Sequence, residues 1–256
     1  MGFLSLHENP KYQGMSEKYI FCMKWGTLYS AEYVNTLYAM VKRNLSFDFK
    51  MVCFTDDEVG IRKEVKCFPI PEIDLPGNLP ERMWKKLTTF KEVLYGLQGT
   101  ALFLDLDIVI FENIDCFFEI EGDFRIMKDP DMKYWKITGN SSVYRFEIGK
   151  HGYVFDEFIS NFDQIKNEHR NEQEYLTAAI HEKNILQYWP KEWCPSFKYH
   201  CHSKIPFNFW KIPEIPKGSK IIIFHGEINP HKAIKGGWGK PYRYVRPATW
   251  VADYWK

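Results

Sequence analysis

Short apolar runs alternate with segments of helical spacing along the first part of the chain. The apolar runs predict buried strands at residues 19–23, 50–55, 65–70 and 100–104. Residues 31–43 have apolar side chains at helical spacing, with Ser30 at the N-cap position, and predict a helix. A second helix is predicted at residues 84–95, ending at Gly96.

The later part of the chain continues the same alternation. Its apolar runs predict strands at residues 108–111, 124–128, 141–146 and 220–224. Residues 172–180 predict another helix, and the prolines of residues 71–80 predict a loop. Alternating strands and helices are typical of an α/β fold, so we expect a Rossmann-like, mainly parallel central sheet flanked by helices.

Polar or small residues follow several of the predicted strands directly. They stand at residues 24–26, 55–56, 105–107 and 225–226. In open parallel sheets, ligands bind beyond the carboxyl ends of the strands. We therefore expect a ligand site where these strand ends meet.

Length and charge narrow the class of protein. A chain of 256 residues with 45% hydrophobic and 26% charged residues suits a single α/β domain. The formal net charge of +1 does not favour nucleic acid as a partner.

Cysteine usage and hydropathy bear on the compartment. The 6 cysteines are scattered without a CxxC pair, which favours free thiols and a reducing compartment. The N-terminus does not resemble a signal peptide, and no apolar run reaches the ~20 residues of a transmembrane helix. The expectation is a cytoplasmic protein without a transmembrane segment, able to associate peripherally with a membrane through its aromatic surface or its basic-aromatic tail.

The segment ALFLDLDIVIF, residues 101–111, holds two carboxylates in an otherwise apolar run. In an extended segment, Asp105 and Asp107 would point to the same face. Two such charges repel each other, and burying either one unpaired costs free energy. A divalent cation that bridges to the phosphates of a ligand would relieve both problems, and Mn²⁺ or Mg²⁺ prefers oxygen ligands. The pattern predicts a metal site on Asp105 and Asp107.

The same residues permit other interpretations. Asp105 to Val109 also fits the DxDx[TV] pattern of haloacid-dehalogenase-like phosphohydrolases, in which Asp105 would be the nucleophile. That pattern normally lies on the first strand, whereas here about a hundred residues precede it. A non-catalytic binder of nucleotides or carbohydrates is a third alternative. A purely structural alternative is that the two aspartates only cap the end of a strand.

Residues after the last predicted strand add candidates. His225 follows the run KIIIF and is either a capping residue or a third metal ligand or phosphate contact. Gly226 would let the backbone approach phosphates closely. Lys232 and Lys235 are either solvated lysines or groups that neutralise phosphate charge.

Four stretches of the chain resemble the GT-A-fold glycosyltransferases with a DxD motif, in the group of glycogenin and the lipopolysaccharide galactosyltransferases. They are YIFCMKWGTLYSAEYVNTLYAMVKRNL, KMVCFTDD, WKKLTTFKEVLYGLQGTALFLDLDIVIFENID and IIIFHGEINPHKA, and the resemblance covers roughly residues 18–245. The last stretch departs from the group's His-Phe-x-Gly-x-x-Lys-Pro-Trp motif, because Asn229-Pro230-His231 replaces Lys-Pro-Trp. The phosphate contact of that lysine would pass to Lys232 or Lys235.

The resemblance implies a metal-dependent transfer of a sugar from a nucleotide-sugar donor. It also implies a nucleotide-binding half at about residues 18–115 and an acceptor half at about residues 116–256. Asp105 and Asp107 would hold the metal under the donor diphosphate, with His225 as third ligand. The residues implied to bind the donor are Lys24, Trp25, Gly26, Thr55, Asp56, Lys86, Asp105, Leu106, Asn140, Ser141, Gly226 and Lys232. A UDP-sugar is the favoured donor. The implied acceptor is a glycan or glycolipid, in the synthesis of surface polysaccharide or lipopolysaccharide.

The chemistry of transfer requires further groups. Glu172 and Gln173 resemble the acidic-Gln pair near the anomeric carbon. An inverting enzyme needs a base for the acceptor hydroxyl, and Glu172 is the first candidate, followed by Asp129 and Asp131. A retaining enzyme would not need that base, and Gln173 could then support the anomeric centre. The residues leave these two stereochemical courses open.

Overall fold

The computed structural model describes residues 16–73, 84–130, 136–237 and 244–256. Seven strands form one sheet in the order β3-β2-β1-β4-β7-β6-β8. Their bounds are β1 Lys18–Lys24, β2 Lys50–Thr55, β3 Val65–Phe68, β4 Thr100–Leu104, β6 Phe124–Lys128, β7 Gly139–Glu147 and β8 Leu186–Tyr188.

Strand direction in this sheet is mainly parallel, as predicted. β1 is parallel to β2 and β4, β2 to β3, and β6 to β8. β7 is antiparallel to both of its neighbours, β4 and β6. The first residues of β7 therefore lie at the same edge of the sheet as the carboxyl ends of β4 and β6.

A second, two-stranded sheet pairs β5 (Val109–Ile110) with β9 (Ile221–Ile222). The pairing is antiparallel and joins Val109 to Ile222. Because antiparallel partners run past each other, this pairing brings the residues after β9 to the side of the turn that precedes β5. Two regions far apart in sequence thus meet next to the end of β4.

Helices cover both faces of the large sheet. They are α1 Ala31–Asn44, α2 Cys116–Glu119, α3 Gly152–Ser160, α4 Phe162–Glu168, α5 Glu172–Glu182, α6 Pro230–Lys235 and α7 Trp250–Tyr254, with a 3₁₀ helix at Trp84–Phe90. Successive residues of a strand point to opposite faces. Ile20 and Cys22 of β1 accordingly pack with α1 in one core cluster, whereas Phe21 packs with the 3₁₀ helix and Phe103 in the other.

Most predicted elements are confirmed to within a few residues, and residues 84–95 are a clear exception. The structure has a 3₁₀ helix at Trp84–Phe90 and turns beyond it. The hydroxyls of Thr88 and Thr89 donate to the carbonyls of Lys85 and Lys86, each at 2.7 Å. Such side-chain bonds compete with a regular α-helical ladder, which is a physical reason for the shorter, tighter helix.

Several smaller predictions need adjustment. Ser30 is the N-cap residue of α1, but its side chain makes no capping hydrogen bond. The strand predicted at residues 220–224 is only Ile221–Ile222. Of the predicted loop at residues 71–80, only residues 71–73 lie within the described part, where they form no helix or strand.

The described part of the C-terminal tail packs on the rest of the protein. The Trp250 and Tyr254 rings of α7 lie 5.5 and 4.6 Å from the Phe111 ring, measured between centroids. Trp255 contacts Tyr33 of α1 at 5.1 Å. All six cysteines are free. Among the described helices, none has both the length and the apolar character that crossing a bilayer requires.

Candidate functional site

The two aspartates of the DLD segment lie in a turn between β4 and β5. Residues 106–107 form a turn, so the condition under which Asp105 and Asp107 would point to the same face of an extended segment is not met. The amide of Asp105 donates to the carbonyl of Ser142 at 2.9 Å, which fastens the turn to β7. Leu106 is 3% exposed and packs in the core cluster that contains α1, so its side chain anchors the turn.

Asp105 forms an ion pair with Lys86 of the 3₁₀ helix. The Lys86 Nζ lies 2.6 Å from Asp105 Oδ1, and the two side chains are 13% and 23% exposed. Burial opposes the charge on Lys86, but the Asp105 and Glu172 carboxylates outweigh it and raise the pKa of the lysine. Lys86 is therefore a charged ammonium held at the carboxyl edge of β4.

Asp107 has a different partner. The Tyr29 hydroxyl donates to Asp107 Oδ2 at 2.7 Å. Burial and the neighbouring charge of Asp105 raise the pKa of Asp107 to about 7, although the Tyr29 bond favours the ionised form. A second negative charge beside Asp105 is thus unfavourable unless a further cation is present.

Ser141, near the start of β7, connects this pair to α5. Lys86 Nζ lies 3.2 Å from the Ser141 carbonyl and 3.3 Å from its hydroxyl oxygen. The Ser141 hydroxyl in turn donates to Glu172 Oε1 at 2.9 Å. Ser141 is 2% exposed, so the hydrogen bonds form inside the protein.

Glu172 and Gln173 begin α5, where Asn171 caps the helix by accepting from the Glu174 amide at 3.1 Å. Burial raises the pKa of Glu172, while Lys86 and the Ser141 hydroxyl partly offset that effect. A carboxyl group with a raised pKa is suited to accept a proton near neutral pH.

Gln173 extends the network to the end of β6. Its side-chain oxygen accepts from the Ser141 amide at 3.3 Å, and its amide nitrogen donates to Asp129 Oδ2 at 3.0 Å. Asp129 is 7% exposed. One continuous network now joins six predicted residues: Asp105, Lys86, Ser141, Glu172, Gln173 and Asp129. Asn140, beside them, accepts from the Ser142 amide at 3.1 Å. Asp131 lies outside the described residues.

The ends of β1 and β2 form a second group at the same sheet edge. Lys24 Nζ donates to the Asp57 carbonyl at 2.9 Å, and the Thr55 hydroxyl donates to the same oxygen at 2.9 Å. The Gly26 amide donates to Asp56 Oδ2 at 2.8 Å. These bonds tie the β1 and β2 loops together. Trp25 is half-buried against the core cluster that contains Phe103.

The loop after β9 is a third group. His225 Nδ1 lies 3.5 Å from the Ser196 hydroxyl, and its ring stacks on Tyr199 at 5.3 Å between centroids. Gly226 has φ +79, and a Cβ there would meet nothing within 4 Å, so space is open beside it. Lys232 lies on α6, and its Nζ donates to the Glu227 carbonyl of the preceding loop at 2.7 Å.

The aspartate pair fits a hard divalent cation better than the predicted three-ligand set does. Asp105 and Asp107 supply oxygen donors and excess negative charge, which such a cation would neutralise. In the parts of the chain that are described, no three His, Cys, Asp or Glu side chains form a group that could hold a metal ion. The role of His225 as a third ligand stays a prediction.

Sequence reasoning missed two residues of this site. Tyr29 was not singled out, although its place in the loop after β1 puts it at the predicted ligand edge. Its ring lies 4.7 Å from Tyr33, which contacts His231 of α6 at 5.5 Å, so aromatic contacts join the Asp107 turn to the β9 side. Asp57, whose carbonyl and carboxylate both contact Lys24, carried a signal in the doubled aspartate after β2.

Comparisons with known proteins identify the fold. No family model matches the chain, and no curated protein sequence matches it. The structure is similar to that of the galactosyltransferase LgtC in complex with donor and acceptor sugar analogues, with a TM-score of 0.60 at 10% identity over 92% of this chain and 94% of LgtC. An active-site variant of LgtC, in which a glutamine is replaced by glutamate, gives a TM-score of 0.61 at 10% identity over 92% of this chain and 94% of the variant.

The glycosyltransferase GlyE of Streptococcus pneumoniae TIGR4 is similar as well. Its TM-score is 0.61 at 12% identity, over 94% of this chain and 61% of GlyE. At such low identities the likeness establishes a common fold. The predicted GT-A architecture, a mixed α/β sheet flanked by helices, is confirmed.

Proposed function

We propose that the protein is a glycosyltransferase that moves a sugar from a nucleotide-sugar donor to a glycan or glycolipid acceptor. One observation carries the proposal. The hydrogen-bonded network from Asp105 to Asp129 gathers charged side chains at the carboxyl edge of a GT-A sheet, where ligands of open α/β sheets bind. The similarity to LgtC, whose structure holds donor and acceptor sugar analogues, supports a sugar donor and acceptor here.

The proposal takes residues 1–256 as one GT-A domain. More specifically, we propose a UDP-sugar as donor, Mn²⁺ or Mg²⁺ as cofactor, and a role in surface polysaccharide or lipopolysaccharide synthesis. Asp105 and Asp107 would hold the metal, and His225 would join them. When bound, such a metal supplies Lewis-acid stabilisation of the departing diphosphate.

The chain's own residues have distinct tasks in this scheme. Lys86 adds positive charge where the diphosphate would lie, and its bonds to Ser141 hold it there. Tyr29 orients the Asp107 carboxylate. The loops after β1 and β2, with Lys24, Trp25, Gly26, Thr55 and Asp56, would receive the nucleoside. The donor would also contact three residues outside these two loops: Asn140, Gly226 and Lys232.

Glu172 and Gln173 would lie at the reacting sugar. In an inverting reaction, the raised pKa of Glu172 suits it to take the proton of the acceptor hydroxyl. In a retaining reaction, Gln173 would support the anomeric centre, and the active-site glutamine replaced in the LgtC variant is consistent with such a role. Asp129 would hold Gln173 in place through its 3.0 Å hydrogen bond, and Asp131 is the remaining candidate base.

A thermal-shift panel tests the donor site. UDP, GDP, CMP and dTDP are each added with Mn²⁺, Mg²⁺ or EDTA, because a ligand that binds the folded state raises the unfolding midpoint. We expect one nucleoside diphosphate to stabilise the protein only with metal, and Asp107→Asn to abolish that shift. Stabilisation by beryllofluoride with no response to any nucleotide would instead favour a phosphohydrolase that uses Asp105 as nucleophile.

A further inference from the structure

Exposed apolar side chains are concentrated in one short segment, residues 205–215, which we call the 205–215 patch. Six of its side chains are between 37% and 66% exposed: Ile205, Phe207, Phe209, Trp210, Ile212 and Ile215. Exposed apolar side chains that are clustered in this way mark an interaction site more often than scattered single residues do. The patch lies outside the network of the candidate site.

The backbone of the patch is anchored to the protein, so the exposure of its side chains is part of the fold. Asn208 is fully buried and donates from Nδ2 to the Tyr244 carbonyl at 2.9 Å. Trp250 Nε1 donates to the Pro213 carbonyl at 2.7 Å. The anchors at Asn208 and Pro213 are buried, while the apolar side chains around them stay partly exposed.

Charge identifies the kind of partner. Residues 198–217 contain four lysines, Lys198, Lys204, Lys211 and Lys217, and one acidic residue, Glu214, for a formal charge of 4 − 1 = +3. The whole chain carries only +1. Aromatic side chains prefer the headgroup region of a bilayer, and lysines near them are attracted to anionic lipids.

We infer that the 205–215 patch is a docking surface for an anionic lipid bilayer. Phe207 and Trp210 enter the interface, and Lys204 and Lys211 lie against the headgroups. Tyr199 lies in a π-helix, Phe197–Cys201, just before the patch and stacks on His225. The π-helix thus connects the patch to the β9 side of the candidate site. This inference goes beyond the proposed function and does not depend on transferase activity.

Vesicle co-sedimentation tests the inference on the full chain. Vesicles are made of phosphatidylcholine alone or mixed with phosphatidylglycerol. We expect the protein to sediment with the mixed vesicles and to be released at high salt, because salt screens the lysine contribution. The triple variant Ile205→Ser, Phe207→Ser, Trp210→Ser should lose binding by about tenfold or more, since burial of its apolar side chains is removed.

Two further variants make the result specific. Lys204→Glu with Lys211→Glu should weaken binding to the mixed vesicles and leave the weak binding to phosphatidylcholine unchanged. Val59→Ser with Val93→Ser is the matched control, because these valines are 80% and 79% exposed and lie elsewhere. Circular dichroism confirms that each variant is folded.

Two results would overturn the inference. One is equal sedimentation of the triple variant and the unmodified protein with mixed vesicles. The other is a protein that ignores both kinds of vesicle but elutes as a dimer, which the triple variant converts to a monomer. That outcome would assign the patch to a second copy of the chain.

Discussion

The ion pair between Lys86 and Asp105 gives the sharpest energetic prediction. At 2.6 Å the attraction is about 6 kcal/mol for an effective dielectric constant of about 20. Desolvation of both groups offsets much of this. Fully exposed pairs contribute about 0–1 kcal/mol, whereas removing one partner of a fully buried pair costs about 3–5 kcal/mol. Because the side chains are 13% and 23% exposed, we expect a coupling of about 2 kcal/mol.

A double-mutant cycle measures that coupling. Lys86→Met should cost about 2–4 kcal/mol in the free energy of unfolding, because it leaves Asp105 and Glu172 without the cation between them. Asp105→Asn should cost less, since it also removes repulsion from Asp107. The loss of unfolding free energy in the double variant should be about 2 kcal/mol smaller than the sum of the losses in the two single variants. Urea denaturation at pH 7 provides all four values.

A surface pair serves as the matched control. Lys150 and Asp123 lie 2.9 Å apart, but their side chains are 43% and 50% exposed. A double-mutant cycle on Lys150 and Asp123 should give a coupling energy of at most about 1 kcal/mol. Additive costs at Lys86 and Asp105, with a coupling no larger than the control, would refute the electrostatic reasoning for the site.

Three further substitutions test the fold around the site by thermal unfolding, with midpoints expected to fall by roughly 2–4 °C per kcal/mol. Ser141→Ala removes a hydrogen bond from buried Glu172 and should cost about 1–3 kcal/mol; an unchanged midpoint would contradict the network. Phe103→Ala empties a fully buried position of β4 and should cost about 3–5 kcal/mol, whereas a cost below 1 kcal/mol would show that the core is less tightly packed. Gly99→Ala should cost about 2 kcal/mol or more, because φ is +129 and the new Cβ would lie 2.3 Å from the Glu17 carbonyl oxygen; a neutral change would show that this loop can shift.

Strong periodicity made most of the fold predictable. β2, β4 and β6 have the predicted bounds, and α1 ends one residue beyond its prediction. The direction of β7 was not predictable in the same way. Its residues 139–146 are all buried, and a continuously buried run looks the same in a parallel and an antiparallel strand. The 3₁₀ helix escaped prediction because the threonine hydroxyl bonds that accompany it are local details that hydrophobic spacing does not record.

The candidate site was predictable residue by residue but not as a network. Asp105 was found from its apolar surroundings, and Lys86, Ser141 and Gln173 from a family resemblance. Their mutual contacts depend on the reversed β7, which brings Ser141 to the edge where β4 and β6 end. Lys86 and Ser141 are 55 residues apart, and sequence spacing carries no information about such a contact.

Release of nucleoside diphosphate from a nucleotide-sugar tests the proposed transferase activity. The protein is incubated with each of several UDP-, GDP- and dTDP-sugars and Mn²⁺, and the free diphosphate is followed by chromatography. We expect release from one class of donor, dependent on metal, lost in Asp107→Asn and retained in the control Lys150→Met. No release from any donor, with inorganic phosphate freed from simple phosphate esters instead, would contradict it.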